Sequence, residues 1–253
     1  MKRFIAFDAA GRFVLGADDT PTLFDAHSAQ PHAENTVHVG DDVWAVLVSE
    51  AQLEALGERF GTCRSHASDY RVARGFGLLR NQRQLRFDPR DGSEVTWGEA
   101  GIVARGASGK PLFPRIDPSV IGVVQSTDGE RILLGENARR PGYFTLIAGY
   151  IDVGETIEDA FAREVWEETG RRVGGVRYVG SQPWALSGAL MLGMVASTSD
   201  VDAVGPLDGE LTQLRWLRRD ELGTVTLAVP GTIARRMIDQ WARGEFNENG
   251  SGA

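Results

Sequence analysis

A chain of 253 residues is longer than one minimal domain needs and suits two compact units, because single cores stop growing near ~250 residues. Its 42% hydrophobic and 25% charged residues exclude the disordered and fibrous classes. A formal charge of −8 excludes broad gripping of nucleic-acid phosphates, which needs a basic stripe, and leaves room only for a local basic pocket.

Cys63 is the only cysteine, so neither an internal disulfide nor a cysteine zinc cage can form, and a reducing cytoplasm is the expected setting. Asp8 breaks the apolar stretch after Lys2 and Arg3 too early for the ~7 to 15 apolar residues of a signal segment. No run approaches membrane-spanning length, so no membrane partner is expected.

In chain order, residues 3–7 and 12–16 read as short strands, and residues 43–48, almost wholly apolar, as a buried one. Residues 50–60 and 67–79 carry helical patterns. Pro89, Gly92, Gly101, Gly106, Gly109, Pro111 and Pro114 then crowd a region of tight turns, where the boundary between units is expected. Longer apolar strands follow at 119–125, 131–134 and 143–148. A helix is expected at 157–169 with Gly170 as its stop. Strands at 177–182, 190–196 and 211–217 precede a last helix that opens at Pro230 and runs to Trp241. The expected division is an α+β domain at 1–86, a linking region at 87–115, a second domain at 116–246 and a loose tail at 247–253.

The helix at 157–169 carries Glu164, Glu167 and Glu168 at i, i+3 and i+4, so three carboxylates project from one face within a turn. They repel one another, and a hard divalent cation, Mg²⁺ or Mn²⁺, turns that repulsion into attraction. Taken alone, such a string is more often a solvated acidic face. Gly149, Glu155, Arg163 and Gly170 stand at fixed offsets around it and reverse that preference. Gly149 ends a strand and lets the loop fold back over the helix N-terminus. The planar fork of Arg163 suits Glu155 and can lock loop to helix.

Gly149, five residues, Glu155, seven residues and then Arg163, Glu164, Val165, Trp166, Glu167, Glu168, Thr169 and Gly170 closely resemble the Nudix box. Arg171 stands where that family has an aliphatic residue; past the helix, it predicts a changed surface contact and intact chemistry. The resemblance implies an α/β protein with a C-terminal Nudix α/β/α sandwich on a mixed sheet, preceded by a smaller α+β domain. It implies hydrolysis of a pyrophosphate, with Glu164, Glu167, Glu168 and the carbonyl of Ala148 on the metal and Glu168 as base. Glu210, between Gly209 and Leu211, matches a further metal-binding glutamate.

Ser181, Gln182, Pro183 and Trp184, at their distance after the box, are similar to the NADH pyrophosphatases of the NudC type. So are residues 113–118 and 230–236. That resemblance implies a homodimer acting on NAD(H), giving nicotinamide mononucleotide and AMP, and extends the substrate to NAD-capped RNA. It places Phe113, Tyr150, Gln182, Pro183, Trp184, Ala185, Leu186, Ser187, Gly188, Ala189 and Ala234 beside the substrate. Trp184 and Tyr150 offer flat faces for stacking a base; Trp184 reads equally well as a buried strand aromatic.

Residues 185–189 lack the two prolines, the phenylalanine and the serine of the family string, which bears on nicotinamide selectivity and leaves hydrolysis untouched. Two alternatives therefore stay open: a Nudix hydrolase of another nucleoside diphosphate derivative such as ADP-ribose, and a non-catalytic nucleotide-binding relative. Four metal carboxylates weigh against the second.

The family's zinc ribbon has two cysteine knuckles. Here Phe87 and Gly92 flank Asp88 and Asp91 in the first pair of cysteine places, and residues 105–108 take the second. Without thiolates no zinc is expected. The ribbon is expected to persist as a degenerate, metal-free turn pair in which Arg105 pairs Asp88 or Asp91. His27, His32, His38 and His66 lack ligand spacing, and Cys63 reads as packing.

Overall fold

The computed structural model describes residues 1–138 and 140–246, and the expected tail at 247–253 lies outside the described residues. The chain divides into two compact units, Met1–Ile116 with Pro183–Ala189, and Asp117–Gln182 with Leu190–Ala253.

The first unit begins with β1 (Arg3–Phe7) and β2 (Arg12–Val14), followed by α1 (Ala26–Ala29), β3 (Thr36–Gly40), β4 (Val43–Leu47), α2 (Glu50–Leu56), β5 (Phe60–Thr62) and α3 (Tyr70–Gln84). Its sheet runs β3-β4-β1-β2-β5, with β1 and β4 parallel. The expected helix at 50–60 stops at Leu56, because Phe60–Thr62 is drawn into the sheet opposite Arg12–Val14. The helix expected at 67–79 starts later and ends later. Asp69 caps it by accepting from the N–H groups of Arg71 and Val72, and the run of good helix formers after Gly77 carries it to Gln84. Val72, Phe76 and Leu79 of α3 pack on Ile5, Phe7 and Val39 to make the core of this unit.

The ribbon region forms the small hairpin β6 (Thr96–Gly98) and β7 (Val103–Arg105). The pairing expected of Arg105 is not the one observed. Its guanidinium donates to Glu99 Oε1 at 3.0 Å, six residues away, and the aspartates are served by short hydroxyl side chains, with Arg90 Nη1 3.8 Å from Asp88 Oδ1. Ser108 Oγ donates to Asp88 Oδ2 at 2.6 Å, the N–H of Arg90 donates to Asp88 Oδ1, and Asp91 accepts from the N–H and hydroxyl of Ser93. Ser93 Oγ in turn accepts from the N–H of Ala107 at 2.7 Å, so one turn is tied to the other. Asp88 is fully buried. Ser108→Ala leaves one of its oxygens short of a donor and is expected to cost about 1–3 kcal/mol, read as a lower urea midpoint. An unchanged midpoint would show that this hydrogen bond contributes nothing.

The second unit contains β8 (Asp117–Ser126), β9 (Arg131–Asn137), β10 (Tyr143–Thr145), β11 (Ile147–Tyr150), α4 (Ile157–Thr169), β12 (Gly174–Trp184), β13 (Ala189–Thr198), β14 (Leu211–Arg218), β15 (Thr226–Leu227) and α5 (Ile233–Ala242). The mixed sheet runs β12-β13-β8-β9-β10-β15, with β11 on β8 and β14 on β9, and β15 parallel to β10. The single strand expected at 143–148 is two, since Tyr143–Thr145 serves β9 and Ile147–Tyr150 serves β8.

Side-chain alternation along β8 builds both layers of the sandwich. Val120 and Val124 face Phe161 and Val165 of α4, while Ile121 and Val123 face Ile233, Met237 and Trp241 of α5. Fully burying a side chain such as Phe161 contributes about 1.5–3 kcal/mol, which fixes α4 against the sheet.

Pro230 does not open α5. The hydroxyl of Thr232 caps the helix on the N–H of Arg235, so Pro230 and Gly231 form the preceding turn.

Candidate active site

Helix α4 is bounded as its sequence dictates. Thr156 accepts from the N–H of Asp159, and Gly170, at φ 63°, turns its N–H back to the carbonyl of Trp166 at 2.8 Å. Arg171 is a correction: it is buried, with its guanidinium donating to the carbonyl of Thr169 at 2.7 Å and to that of Val201 at 2.8 Å. Where a surface contact is expected, a cation instead satisfies the last carbonyl of the helix, that of Thr169, and its length lets it span to the next loop.

Arg163 organises the acidic face. Its Nε and Nη2 grip Glu155 at 2.6 and 2.9 Å, Nη1 reaches Glu164 Oε1 and Glu167 Oε2 at 2.9 Å each, and Nη2 also reaches the carbonyl of Tyr150 at 3.0 Å. Loop, strand end and helix are thereby joined through one guanidinium. The pairing holds the Glu155 carboxyl down at about 2. Gly149 is required by close approach, since a Cβ there would overlap the carboxyl of Glu164. Its carbonyl accepts from Ser119 Oγ at 2.8 Å, which fixes the strand end beside Ala148.

Glu168 lies one turn beyond Glu164 and is buried, with an Oε2 that has no hydrogen-bond partner. Burial, followed by the charges of Glu164, Glu210, Asp208 and Glu167, pushes its carboxyl up to about 8. Glu164 is also raised, chiefly by burial. The loop that brings Glu210 is tied to the helix end by the N–H of Asp208, which donates to the carbonyl of Glu167 at 3.0 Å. The sequence reading missed Asp208 as a member of this group. Two residues before Glu210, it carries no spacing signal of its own, and only the fold of the loop brings it close to Glu168.

Among the described residues no set of three or more acidic, histidine or cysteine donors stands ready-made around a cation position. Arg163 holds Glu164 and Glu167 toward itself. The group nevertheless fits a hard divalent cation, because an orphaned buried carboxylate oxygen beside repelling oxygens gains most from a positive charge.

Other residues expected at the site have different surroundings. The amide of Gln182 is committed to α5: Nε2 donates to the carbonyl of Gly231 at 2.8 Å and Oε1 accepts from the N–H of Ile233 at 2.7 Å. Ala234 is buried in the α5 core, and Ala185 and Leu186 pack on the core of the first unit. Ser187 and Gly188 turn their N–H groups to the carbonyl of Trp184, so the residues lacking the family's prolines make a tight turn into Ala189. Pro183 is exposed, and Trp184 is half-buried with the guanidinium of Arg64 5.1 Å from its ring centre. Phe113 and Tyr150 are exposed. Burial pushes the Cys63 thiol up to about 12, which makes it an inert packing residue.

The NUDIX domain model matches residues 115–241. Over 257 residues the chain is 32% identical to the NAD-capped RNA hydrolase NudC of Mycobacterium tuberculosis, spanning 92% of this chain and 82% of that protein. Over 141 residues it is 40% identical to the NAD-capped RNA hydrolase NUDT12 of Homo sapiens, spanning 52% of this chain and 30% of that protein. A crystal structure of a NUDIX hydrolase from Nitrosomonas europaea matches with a TM-score of 0.51 at 19% identity, over 66% of this chain and 95% of that one. At that identity it speaks for the fold alone.

Proposed function

Because the chain belongs to the Nudix hydrolases of the NudC type, we propose that it cleaves the pyrophosphate of NAD(H)-like dinucleotides, free or as the cap of an RNA. The observation that carries this reading is the buried, unpartnered Oε2 of Glu168 among Glu164, Glu167, Asp208 and Glu210, on a helix locked to Gly149. A solvated acidic face has no reason to bury a carboxylate in this way.

Glu164, Glu167, Glu168 and Glu210, with the carbonyl of Ala148, would hold Mg²⁺ or Mn²⁺, which supplies neutralisation of the diphosphate oxygens. Glu168 Oε2 accepts the proton of the water that attacks phosphorus. The P–O bond of the bridge breaks, and nicotinamide mononucleotide and AMP leave. Arg163 takes no proton; it positions Glu164 and Glu167 and keeps Glu155 ionised as an anchor. Tyr150, exposed at the strand end after Gly149, is proposed to offer its ring to a base. A homodimer and a cytoplasmic setting belong to the same proposal. Among the described residues no helix is long and apolar enough to cross a membrane.

The test is turnover of NADH, NAD, NAD-capped RNA and ADP-ribose with Mg²⁺ or Mn²⁺, with products identified. The expected products of NAD are nicotinamide mononucleotide and AMP. Turnover of ADP-ribose alone moves the substrate to that class. Nucleotide binding without any product removes the enzyme reading.

A further inference from the structure

The loop between β13 and β14, residues 199–210, carries Asp208 and Glu210 to the acidic face of α4, and Glu210 stands close enough to Glu164 and Glu168 for its charge to act on both. Residues 201–204 and 206–210 are exposed, so packing into a core does not fix the course of this loop. Hydrogen bonds to the C-terminal end of α4 do. Besides the bond from Asp208 to Glu167, the N–H groups of Val204 and Gly205 both donate to the carbonyl of Gly170, at 2.8 and 3.1 Å. Gly205 lies against the ring of Trp166, where a Cβ would come within 2.3 Å of it.

Arg171 makes the remaining anchor. The carbonyl of Val201 accepts from its Nε at 3.2 Å, from its Nη2 at 2.8 Å and from Trp216 Nε1 at 2.8 Å, while Nη1 holds the carbonyl of Thr169. A buried guanidinium thus bridges the last residue of α4 and the start of the loop, and Trp216 reaches the same carbonyl from β14. Burying a guanidinium is costly unless its donors are used. An aliphatic side chain at 171 would offer neither carbonyl a donor.

We propose that Arg171 is a positioning residue for the divalent-metal site: through the carbonyl of Val201 it clamps the loop to the end of α4, and so sets where Glu210 meets Glu164 and Glu168. All of these residues belong to the second unit. The inference rests on the reading of Glu210 as a metal ligand given under Proposed function.

The test follows Mn²⁺ binding to the full chain without substrate, from the electron paramagnetic resonance signal of the free ion. Arg171→Leu is expected to weaken Mn²⁺ binding about tenfold, the lower end of the loss seen when a group that orients metal ligands is removed. In the Glu210→Gln background, itself a weaker binder, the same change should add little, because side chains that act through one another are not additive. A side chain that only stabilised the fold would cost the same factor in both backgrounds. Trp216→Phe retains a ring and removes the second donor to Val201. It is expected to move Mn²⁺ affinity in the same direction by a smaller factor, and it carries the test if Arg171→Leu does not fold.

Wild-type Mn²⁺ affinity in both variants overturns the inference, as does an equal loss with and without Glu210, even where the chain hydrolyses NAD as proposed. If the chain hydrolyses no dinucleotide, yet Arg171→Leu loses Mn²⁺ affinity only while Glu210 is present, the clamp stands and the pyrophosphatase reading fails. A wild type that binds no Mn²⁺ removes both.

Discussion

Glu168→Gln is expected to lower kcat by about 10²- to 10⁴-fold with little change in KM, and to make the metal-free protein more stable at alkaline pH. Both effects come from one carboxyl. As the base, Glu168 acts while the water is being deprotonated, so with the metal saturating, which offsets the loss of one of its ligands, the substitution is felt in the transition state more than in the ground state. As a buried group crowded by Glu164, Glu210, Asp208 and Glu167, it has its folded-state pKa pushed up from 4.5 to about 8.

A carboxyl whose pKa is raised on folding gives its full advantage to the folded state below the unfolded value, near 4.5. That advantage is lost as pH rises through about 8. The metal-free wild type therefore loses stability across that window, and a glutamine, neutral throughout, does not. Urea midpoints in chelator across the window, with kcat measured in Mg²⁺, check both halves. A wild-type midpoint independent of pH removes the electrostatic account, and a variant with wild-type kcat removes the base.

The same helix shows why part of this protein could be read from its sequence. Its limits are local: Thr156 and Gly170 are single residues whose capping chemistry acts within one turn, and the glutamate spacing fixes a common face before any tertiary contact forms. The α/β sandwich follows from two-sided burial of a strand such as β8, visible as an unbroken apolar run. What stayed hidden depends on distant partners. Whether residues 143–148 form one strand or two is decided by which neighbour each half finds, β9 or β8.

Arg171 reads as a surface residue because nothing nearby shows that the carbonyl of Val201, thirty residues on, comes within its reach. The ribbon teaches the same lesson. Its aspartates suggest Arg105 as the partner, and the fold supplies Asp88 with Arg90 at 3.8 Å and with the short hydroxyl of Ser108, twenty residues away in sequence, because two turns already lie in contact. Asp208 joins the acidic group only through the course of its loop.

Arg163→Ala is expected to weaken apparent affinity for Mg²⁺ or Mn²⁺ by about 10- to 100-fold, the range seen when a group that orients metal ligands is removed. The guanidinium contacts three carboxylates and one carbonyl from helix, loop and strand end, so no single substitution can replace it. Arg163→Lys retains the charge but not the fork, and a compact ammonium cannot grip both oxygens of Glu155 and still reach Glu164 and Glu167. It should recover only a fraction of the lost affinity.

The distinguishing readout is activity against metal concentration. If Arg163 positions the ligands, both variants shift the curve to higher metal while saturating metal restores much of kcat. A fall in kcat that no metal concentration relieves would place Arg163 against the reacting phosphate instead. Curves that do not move in either variant would show that Glu164 and Glu167 find their places without it.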